Sequence, residues 1–262
     1  MTKHIVLTFD LEEFDLPEEY SIAIEKKQQL KISTDGLENL LVILRKHSIR
    51  ATFFTTAFYA ENNQELMSVL VAEGHEIASH LYYHSDYNPE HVALSKLKLE
   101  EITGQPVYGF RSPRLRPIES GLITKAGYEY ESSLNPTYIP GRYINFFKSR
   151  RFYFDQKSRL FVLPFSVSPI VRFPLFWLSF KNISFGMYRF LCLSALKKDK
   201  YLHLYYHPWE FADLNDTGIP KYIRKIDGND LANRLDKLIE TLIKKGKFTT
   251  IHQFFTDVNH KK

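Results

Sequence analysis

Short apolar runs alternate with helical patterns along the whole chain, and this alternation limits the folds open to it. Eight runs are predicted as strands: IVLTFDL (5–11), ATFFTTAF (51–58), EIASHL (76–81), VYGFRSP (107–113), YEYESSL (128–134), LFVLPFS (160–166), YLHLYYHP (201–208) and FTTIHQF (248–254). Helices are predicted between most of them, near 35–47, 61–74, 90–103, 188–198 and 230–245. Such an alternation indicates a parallel sheet, either closed into a barrel or doubly wound. No G-x-G-x-x-G follows the first strand, which argues against a dinucleotide-binding fold and favours a TIM-like α/β barrel.

The length of 262 residues fits one such barrel, so we predict a single domain over 1–262. Aromatic residues make up 15% of the chain, and an irregular aromatic insertion is predicted at about 135–190. Its segment LPFSVSPIVRFPLFWLSF is most simply barrel packing and loop core. The alternatives for this segment are a lid, a sugar-binding wall or a surface that meets a membrane-bound partner.

The chain has one cysteine, Cys192, which excludes an internal disulfide framework and a cysteine-based zinc cluster. The N-terminal sequence MTKHIVLTFDLEEFD has too few apolar residues before its acidic cluster for a signal-peptide core. No uncharged apolar stretch reaches the ~18 residues that would span a bilayer. We therefore expect a soluble, cytoplasmic protein, and contact with the inner face of a membrane stays open.

The net charge of +5 is unevenly distributed along the sequence. Residues 10–19 contain six acidic side chains and no basic one, whereas residues 142–159 contain six basic side chains against Asp155 alone. A basic run of this kind is usually a solvated face. It could also meet an anionic glycan, a phospholipid headgroup or nucleic acid, but no nucleic-acid motif accompanies it.

Polar side chains follow the predicted strands, where the active sites of α/β barrels lie. Asp10 and Glu12 end the first strand, and the alternation of side chains puts them on one face. His80 ends the third strand, and His84 follows it. Two imidazoles and a carboxylate with an open position form the ligand set of a catalytic divalent metal. The remaining acid could take a proton from a metal-bound water.

Two later strands add a cation and a further imidazole to this set. Arg111 ends the fourth strand and could keep the base ionised by lowering its pKa. His207 ends the seventh strand and could donate a proton to a leaving group. His203 lies on the same strand face, but His207 is nearer the strand end and is therefore preferred. The strand ends thus predict a hydrolytic site.

Five strings carry a family resemblance: TFDLEEFD (8–15), GHEIASHLYYH (74–84), FRSP (110–113), YEYESS (128–133) and YYHPWEF (205–211). In this order they resemble the five motifs of the polysaccharide deacetylase family, the NodB homology domain or carbohydrate esterase family 4. The resemblance runs from residue 4 to about 255, and the histidine spacing in GHEIASHLYYH is its most specific part. YYHPWE is similar to the branch of the family associated with bacterial exopolysaccharide gene clusters.

The resemblance implies a distorted (β/α) barrel of seven or eight strands. It also implies hydrolysis of the acetamide of N-acetylhexosamines, in a glycan or glycan precursor, with a divalent metal that is usually zinc and alternatively cobalt or nickel. By motif, Asp10 is implied as the general base, Arg111 as its partner and His207 as the general acid. His80 and His84 are implied as metal ligands, in agreement with the positions at the strand ends.

The sequence departs from the family pattern at two places. The commonest first motif has two adjacent aspartates, the second a metal ligand, and Leu11 stands there in this chain. Glu12 shares the face of Asp10, so we predict Glu12 as the third ligand. The fourth motif has Glu131 where the family usually has Asp, and no Trp is near it. The predicted substrate contacts, two of them aromatic side chains suited to stacking on a sugar, are Pro113, Tyr82, Trp209 and Glu131.

Two other functions fit the same residues. Some relatives hydrolyse non-glycan C–N bonds, such as the ring amide of allantoin, and some of these need no metal. A glycan-binding module that has lost catalysis would explain the missing second aspartate. The retained Asp10, His80, His84, Arg111 and His207 argue against it, because binding alone needs no such set.

Overall fold

A computed structural model describes residues 2–259, which form a curled, mainly parallel β-sheet flanked by helices. The strands of these residues are β1 (His4–Leu11), β2 (Thr52–Thr55), β3 (Glu76–Ser79), β4 (Gly109–Phe110), β5 (Tyr130–Glu131), β6 (Tyr138–Ile139), β7 (Tyr143–Ile144), β8 (Tyr153–Asp155), β9 (Leu160–Val162), β10 (Tyr201–Tyr206) and β11 (Lys247–Phe248). The α-helices are α1 (Lys26–Lys46), α2 (Ala57–Asn62), α3 (Gln64–Ala72), α4 (His91–Thr103), α5 (Ser120–Lys125), α6 (Trp177–Asn182), α7 (Phe185–Asp199), α8 (Gly228–Ile243) and α9 (Ile251–Asn259).

The strand order of the sheet is β10-β1-β2-β3-β4-β5-β9-β8, and all neighbours are parallel except the β9–β8 pair. The sheet curls far enough for the chain beyond β9 to reach β10. There the Ser166 amide donates to the His203 carbonyl at 3.0 Å, and the His203 amide donates to Ser166 Oγ at 2.9 Å. This confirms the predicted barrel-like α/β fold.

β1 lies in the interior of the sheet, and all eight of its residues are buried. Its neighbour α1 covers the sheet with a buried stripe of Leu37, Leu40, Leu41 and Leu44, although the helix begins at Lys26 rather than near residue 35 as predicted. Gly36 lets this helix approach the 3-10 helix Pro208–Phe211, since a Cβ at Gly36 would lie 2.0 Å from the Pro208 carbonyl oxygen. The packing of α1 therefore fixes the segment that follows β10.

The strand predicted at 248–254 is wrong for most of its length. The strand β11 ends at Phe248, and α9 begins at Ile251. The apolar residues Ile251, Phe254 and Phe255 recur at helical spacing and pack against the buried Val6 of β1, so burial of this stripe favours a helix.

The aromatic insertion combines a β6–β7 hairpin, the antiparallel β8–β9 pair and the helices α6 and α7. Its segment 163–180 contributes several buried aromatic side chains to the core, as predicted for barrel packing. Within residues 2–259, no helix combines the length and apolar character needed to cross a membrane.

Candidate active site

The carboxyl end of β1 supplies two carboxylates to the site. Asp10 and Glu12 alternate with the buried Leu11, so both project to the same side of the sheet and both are almost fully buried. His80 directly follows β3, and Leu81 adopts a left-handed backbone conformation with φ of +69°. This turn redirects the chain, so that His84 also reaches the carboxylates.

Asp10 is paired with Arg111, which directly follows β4. The Nη1 group of Arg111 donates to Asp10 Oδ1, and neither side chain is more than 4% exposed. Burial raises the pKa of Asp10, but the charges of Arg111, His80 and His207 lower it more, so the net pKa lies below the ordinary value. Asp10 is therefore held as a carboxylate.

The Arg111 side chain is fixed from every side. Its Nε group donates to the Ser132 carbonyl at 2.9 Å, and its Nη2 group donates to Thr8 Oγ1 at 3.0 Å and to His203 Nε2 at 3.2 Å. The guanidinium also stacks over the Phe54 ring, with its carbon 3.8 Å from the ring centroid. His203 therefore acts as a buried acceptor within the barrel rather than as a group of the cleft.

Glu12, His80 and His84 converge on one point. Glu12 Oε2 lies 3.0 Å from His80 Nε2 and 3.1 Å from His84 Nε2. This oxygen is buried and accepts no hydrogen bond from the residues that the structure describes. A buried carboxylate oxygen between two imidazole nitrogens is suited to a divalent cation, because the three atoms are its usual protein ligands.

The outer atoms of both imidazoles are held by acceptors. The Nδ1 group of His80 donates to the Arg111 carbonyl at 2.9 Å, and that of His84 donates to Asp15 Oδ1 at 2.7 Å. When an imidazole is neutral and keeps its proton on Nδ1, the lone pair of its Nε2 points toward Glu12, as metal ligation requires. Burial lowers the pKa of His84, but Glu12 and Asp15 raise it more, to about 9.

Two neighbours orient the ligand loop and Glu12 itself. Glu13, two residues beyond the end of β1, accepts the His84 amide at 3.0 Å and the Thr56 hydroxyl at 2.8 Å. Trp209 Nε1 donates to Glu12 Oε1 at 3.3 Å, which leaves Oε2 for the imidazole side.

His207 faces Asp10 from the opposite side of the cleft, with its Nε2 atom 3.9 Å from Asp10 Oδ2. Its Nδ1 group donates to Glu210 Oε1 at 3.0 Å, and Glu210 Oε2 lies 3.0 Å from the Nζ atom of the buried Lys181. Burial lowers the pKa of His207, but the hydrogen bond to Glu210 and the charges of Glu12, Glu210 and Asp10 raise it above the ordinary value. His207 is thus suited to carry a proton near neutral pH.

These groups open into a cleft that has aromatic walls. Asp10, Glu12, His80, His84 and His207 all line it, and its aromatic wall residues are Tyr20, Tyr143, Trp177, Tyr205, Trp209 and Tyr222. Trp209 is only 3% exposed and stacks on the His207 ring, with the ring centroids 4.9 Å apart. A sugar could therefore contact only the small exposed edge of the Trp209 ring, and not its face as predicted.

The other three predicted substrate contacts lie outside this cleft wall, as far as residues 2–259 define it. Tyr82 donates to Glu61 at 3.0 Å and lies against Tyr83 and His91. Pro113 is buried in a 3-10 helix, and Glu131 is the last residue of β5. Their positions therefore do not support a contact with a substrate in this cleft.

The chain is similar to known deacetylases in sequence and in fold. Residues 1–130 match the family model described as polysaccharide deacetylase. A peptidoglycan deacetylase of Helicobacter pylori is 31% identical over 110 residues, a match that covers 38% of this chain and 37% of the relative. The family model covers just under half of the chain, so it shows a likeness to polysaccharide deacetylases over that part. The first curated relatives are matched over less than half of their length.

Two solved structures share the fold of this deacetylase-like domain over nearly the whole chain. One is described as a polysaccharide deacetylase from Mycobacterium smegmatis, with a TM-score of 0.69, 19% identity, and coverage of 100% of this chain and 92% of the other. The second is the allantoinase PuuE, with a TM-score of 0.65, 15% identity, and coverage of 95% and 88%. At these identities the likeness concerns the fold alone.

Sequence reasoning missed four groups around the predicted site. Glu210 follows His207 by three residues, and Asp15 follows Asp10 by five, so both lie in quoted motifs whose spacing could have indicated them. Lys181 and Trp177 come from α6 in the aromatic insertion. No local pattern indicates that this helix reaches the cleft.

Proposed function

We propose that this protein is a metal-dependent hydrolase that removes N-acetyl groups from N-acetylhexosamine residues of a glycan or glycan precursor. The observation that carries the proposal is one buried cluster that combines a carboxylate–arginine pair, a Glu–His–His ligand set and a histidine on the opposite side. Acetamide hydrolysis needs these three parts: a base, an electrophilic centre and an acid.

The relatives and the cleft both support the proposed substrate class. The H. pylori relative is named for deacetylation of peptidoglycan, and a Bradyrhizobium relative for deacetylation of chitooligosaccharides, both of which contain N-acetylated sugars. Tyr222 and Tyr20, 51% and 37% exposed, join their hydroxyls at 2.9 Å on the cleft rim. They offer aromatic faces for a sugar in place of Tyr82. Membership of the exopolysaccharide branch is part of this proposal.

Glu12, His80 and His84 would hold a divalent cation, with zinc as the first candidate for two imidazoles and a carboxylate, and cobalt or nickel next. Such a cation, when bound, polarises a carbonyl and lowers the pKa of water. The chain itself fixes both imidazoles through Arg111 and Asp15, so the three ligand atoms are already gathered.

Asp10 is the proposed general base. It is buried, ionised and held by Arg111 in one orientation, with its second oxygen directed toward His207 and the cleft. It can therefore accept a proton from a water molecule that attacks the acetyl carbon. Arg111 does not reach the cleft wall and is a positioning residue for this base.

His207 is the proposed general acid. Glu210 holds the Nδ1 proton, which leaves Nε2 to deliver a proton to the departing sugar amine. The raised pKa of His207 keeps this nitrogen protonated over more of the neutral range than an isolated imidazole. Free amine and acetate are the products, and the proton taken by Asp10 balances the proton given by His207.

The test is acetate release from N-acetylglucosamine oligomers by the zinc-loaded chain. We expect release by the wild type, with the mass of the oligomer lowered by one acetyl group per cleavage, and release by Asp10→Asn that is slower by a factor of about 10² to 10⁴. Oligomer binding without acetate would favour the glycan-binding module, and hydrolysis of allantoin without acetate release would favour the cyclic-amide alternative. Either result would overturn the proposal.

A further inference from the structure

The segment between β5 and the end of α7 carries mostly positive charges. Residues 132–199 contain eleven Lys and Arg side chains and two acidic residues, Asp155 and Asp199, the second of which pairs with Arg150 and Arg151. This segment therefore presents a positive surface. Lys181 is the exception among these cations, because it is buried and pairs with Glu210.

Apolar side chains project from the same segment into solvent. We call the four most exposed of them the apolar tip: Ile144 (85% exposed), Phe147 (97%), Ile170 (88%) and Val171 (70%). Soluble proteins rarely leave large apolar side chains together at such exposure unless the surface has a partner.

Hydrogen bonds connect the two segments that carry the apolar tip. The Asn145 amide donates to the Thr137 carbonyl at 2.9 Å, and the Thr137 hydroxyl donates to the Arg172 carbonyl at 2.7 Å. The Arg172 Nη1 group donates to the Lys148 carbonyl at 2.7 Å. These bonds tie the loop that carries Ile144 and Phe147 to the turn that carries Ile170 and Val171.

We propose that the apolar tip and its basic surroundings dock this protein onto a membrane surface that contains anionic lipids. Apolar side chains at a loop tip can enter the boundary between headgroups and acyl chains, while neighbouring cations meet lipid phosphates. Lys148, exposed beside Phe147, is such a cation. A second copy of the chain fits this surface poorly, because it would bring the same positive segment against itself.

The docking surface adjoins the cleft. The β6–β7 hairpin ends at Ile144 of the tip, and its residues Arg142 and Tyr143 line the cleft wall. Docking therefore brings the mouth of the cleft close to the lipid headgroups. The inference goes beyond the proposed reaction and does not depend on it, since it assigns a surface outside the site.

The experiment is co-sedimentation of the full chain with vesicles of phosphatidylcholine alone, or of phosphatidylcholine mixed with phosphatidylglycerol. We expect binding to the mixed vesicles and little to the neutral ones. Phe147→Ser and Lys148→Glu should each weaken binding about tenfold, from lost apolar insertion and from reversed charge. Leu97→Ser on α4 and Lys27→Glu on α1 are matched controls at other exposed positions, and they should leave binding unchanged.

Circular dichroism and melting temperature check that each variant is folded, and Ile170→Ser provides a second apolar variant on the separate turn. Equal binding by the tip variants and the wild type would overturn the proposal. An absence of binding to anionic vesicles would also overturn it. This outcome includes the case in which the chain does not bind vesicles and Phe147→Ser instead abolishes self-association or the binding of another protein.

Discussion

Replacing Glu210 by Gln removes the negative charge between His207 and Lys181 and leaves a buried ammonium group beside a neutral amide. Both charged side chains are 0% exposed, and Glu210 Oε2 lies 3.0 Å from Lys181 Nζ. At this distance and an effective dielectric constant of ~20, the Coulomb attraction is about 5 kcal/mol. Removing one partner of a buried pair generally costs about 3–5 kcal/mol. We expect Glu210→Gln to lower the free energy of unfolding by about 3 kcal/mol, measured by urea denaturation.

The matched partner variant is Lys181→Met, and the two changes form a double-mutant cycle. The variant that carries both changes leaves neither charge unpaired, so it should be more stable than the sum of the single losses predicts. We expect a coupling energy of at least about 2 kcal/mol. Strictly additive losses would refute the claim that the two groups form one buried pair.

The same variant reports on His207. Burial lowers the pKa of His207, and Glu210 is the first group that raises it again. In Glu210→Gln the imidazole should therefore titrate at a lower pH than in the wild type, which NMR of the ring protons can follow. An unchanged pKa would mean that Glu210 does not hold the Nδ1 proton.

Three further predictions concern catalysis, pH dependence and packing. Asp10→Asn should lower turnover by a factor of about 10² to 10⁴ while leaving zinc bound, measured by acetate release and metal analysis; unchanged turnover would remove Asp10 as the base. Burial lowers the pKa of His75 from 6.5 to about 4 in the folded chain. The unfolded chain therefore takes up this proton at a higher pH than the folded chain, and the free energy of unfolding falls as the pH drops from 6.5 to about 4. Between pH 7 and 5 the wild type should lose about 2 kcal/mol more than His75→Asn in urea denaturation, and equal losses would contradict this. Gly109→Ala puts a Cβ 1.9 Å from the Tyr130 ring and should cost about 2 kcal/mol or more in thermal unfolding, whereas Gly121→Ala, with its nearest atom at 3.5 Å, should cost nothing.

The framework of the barrel could be predicted because it depends on local patterns. The buried run of β1 and the leucine stripe of α1 both follow from residue spacing alone. The strand ends also indicated a shared site, since parallel strands present their carboxyl ends at one edge of the sheet. The alternation of side chains predicted Glu12 on the face of Asp10, and Glu12 Oε2 does lie beside His80 Nε2.

The rest could not be predicted because it depends on contacts between distant segments. FTTIHQF has apolar residues that suit a strand as well as a helix, and only packing against β1 decides between them. Lys181 reaches Glu210 because α6 folds back over the 3-10 helix after β10, which no sequence spacing indicates. Tyr82 failed as a cleft residue because its hydroxyl donates to Glu61 and its ring lies against Tyr83 and His91, contacts that no sequence spacing indicates.

The most direct test of the proposed site is calorimetric titration of the metal-free chain with zinc chloride. We predict about one site per chain, lost in the His80→Ala/His84→Ala double variant, weakened in Glu12→Gln and kept in Asp10→Asn. Loss of binding in the first variant with retention in the last would locate the cation at the cluster of three ligands. Equal zinc binding in the double variant, or none in the wild type, would contradict the account.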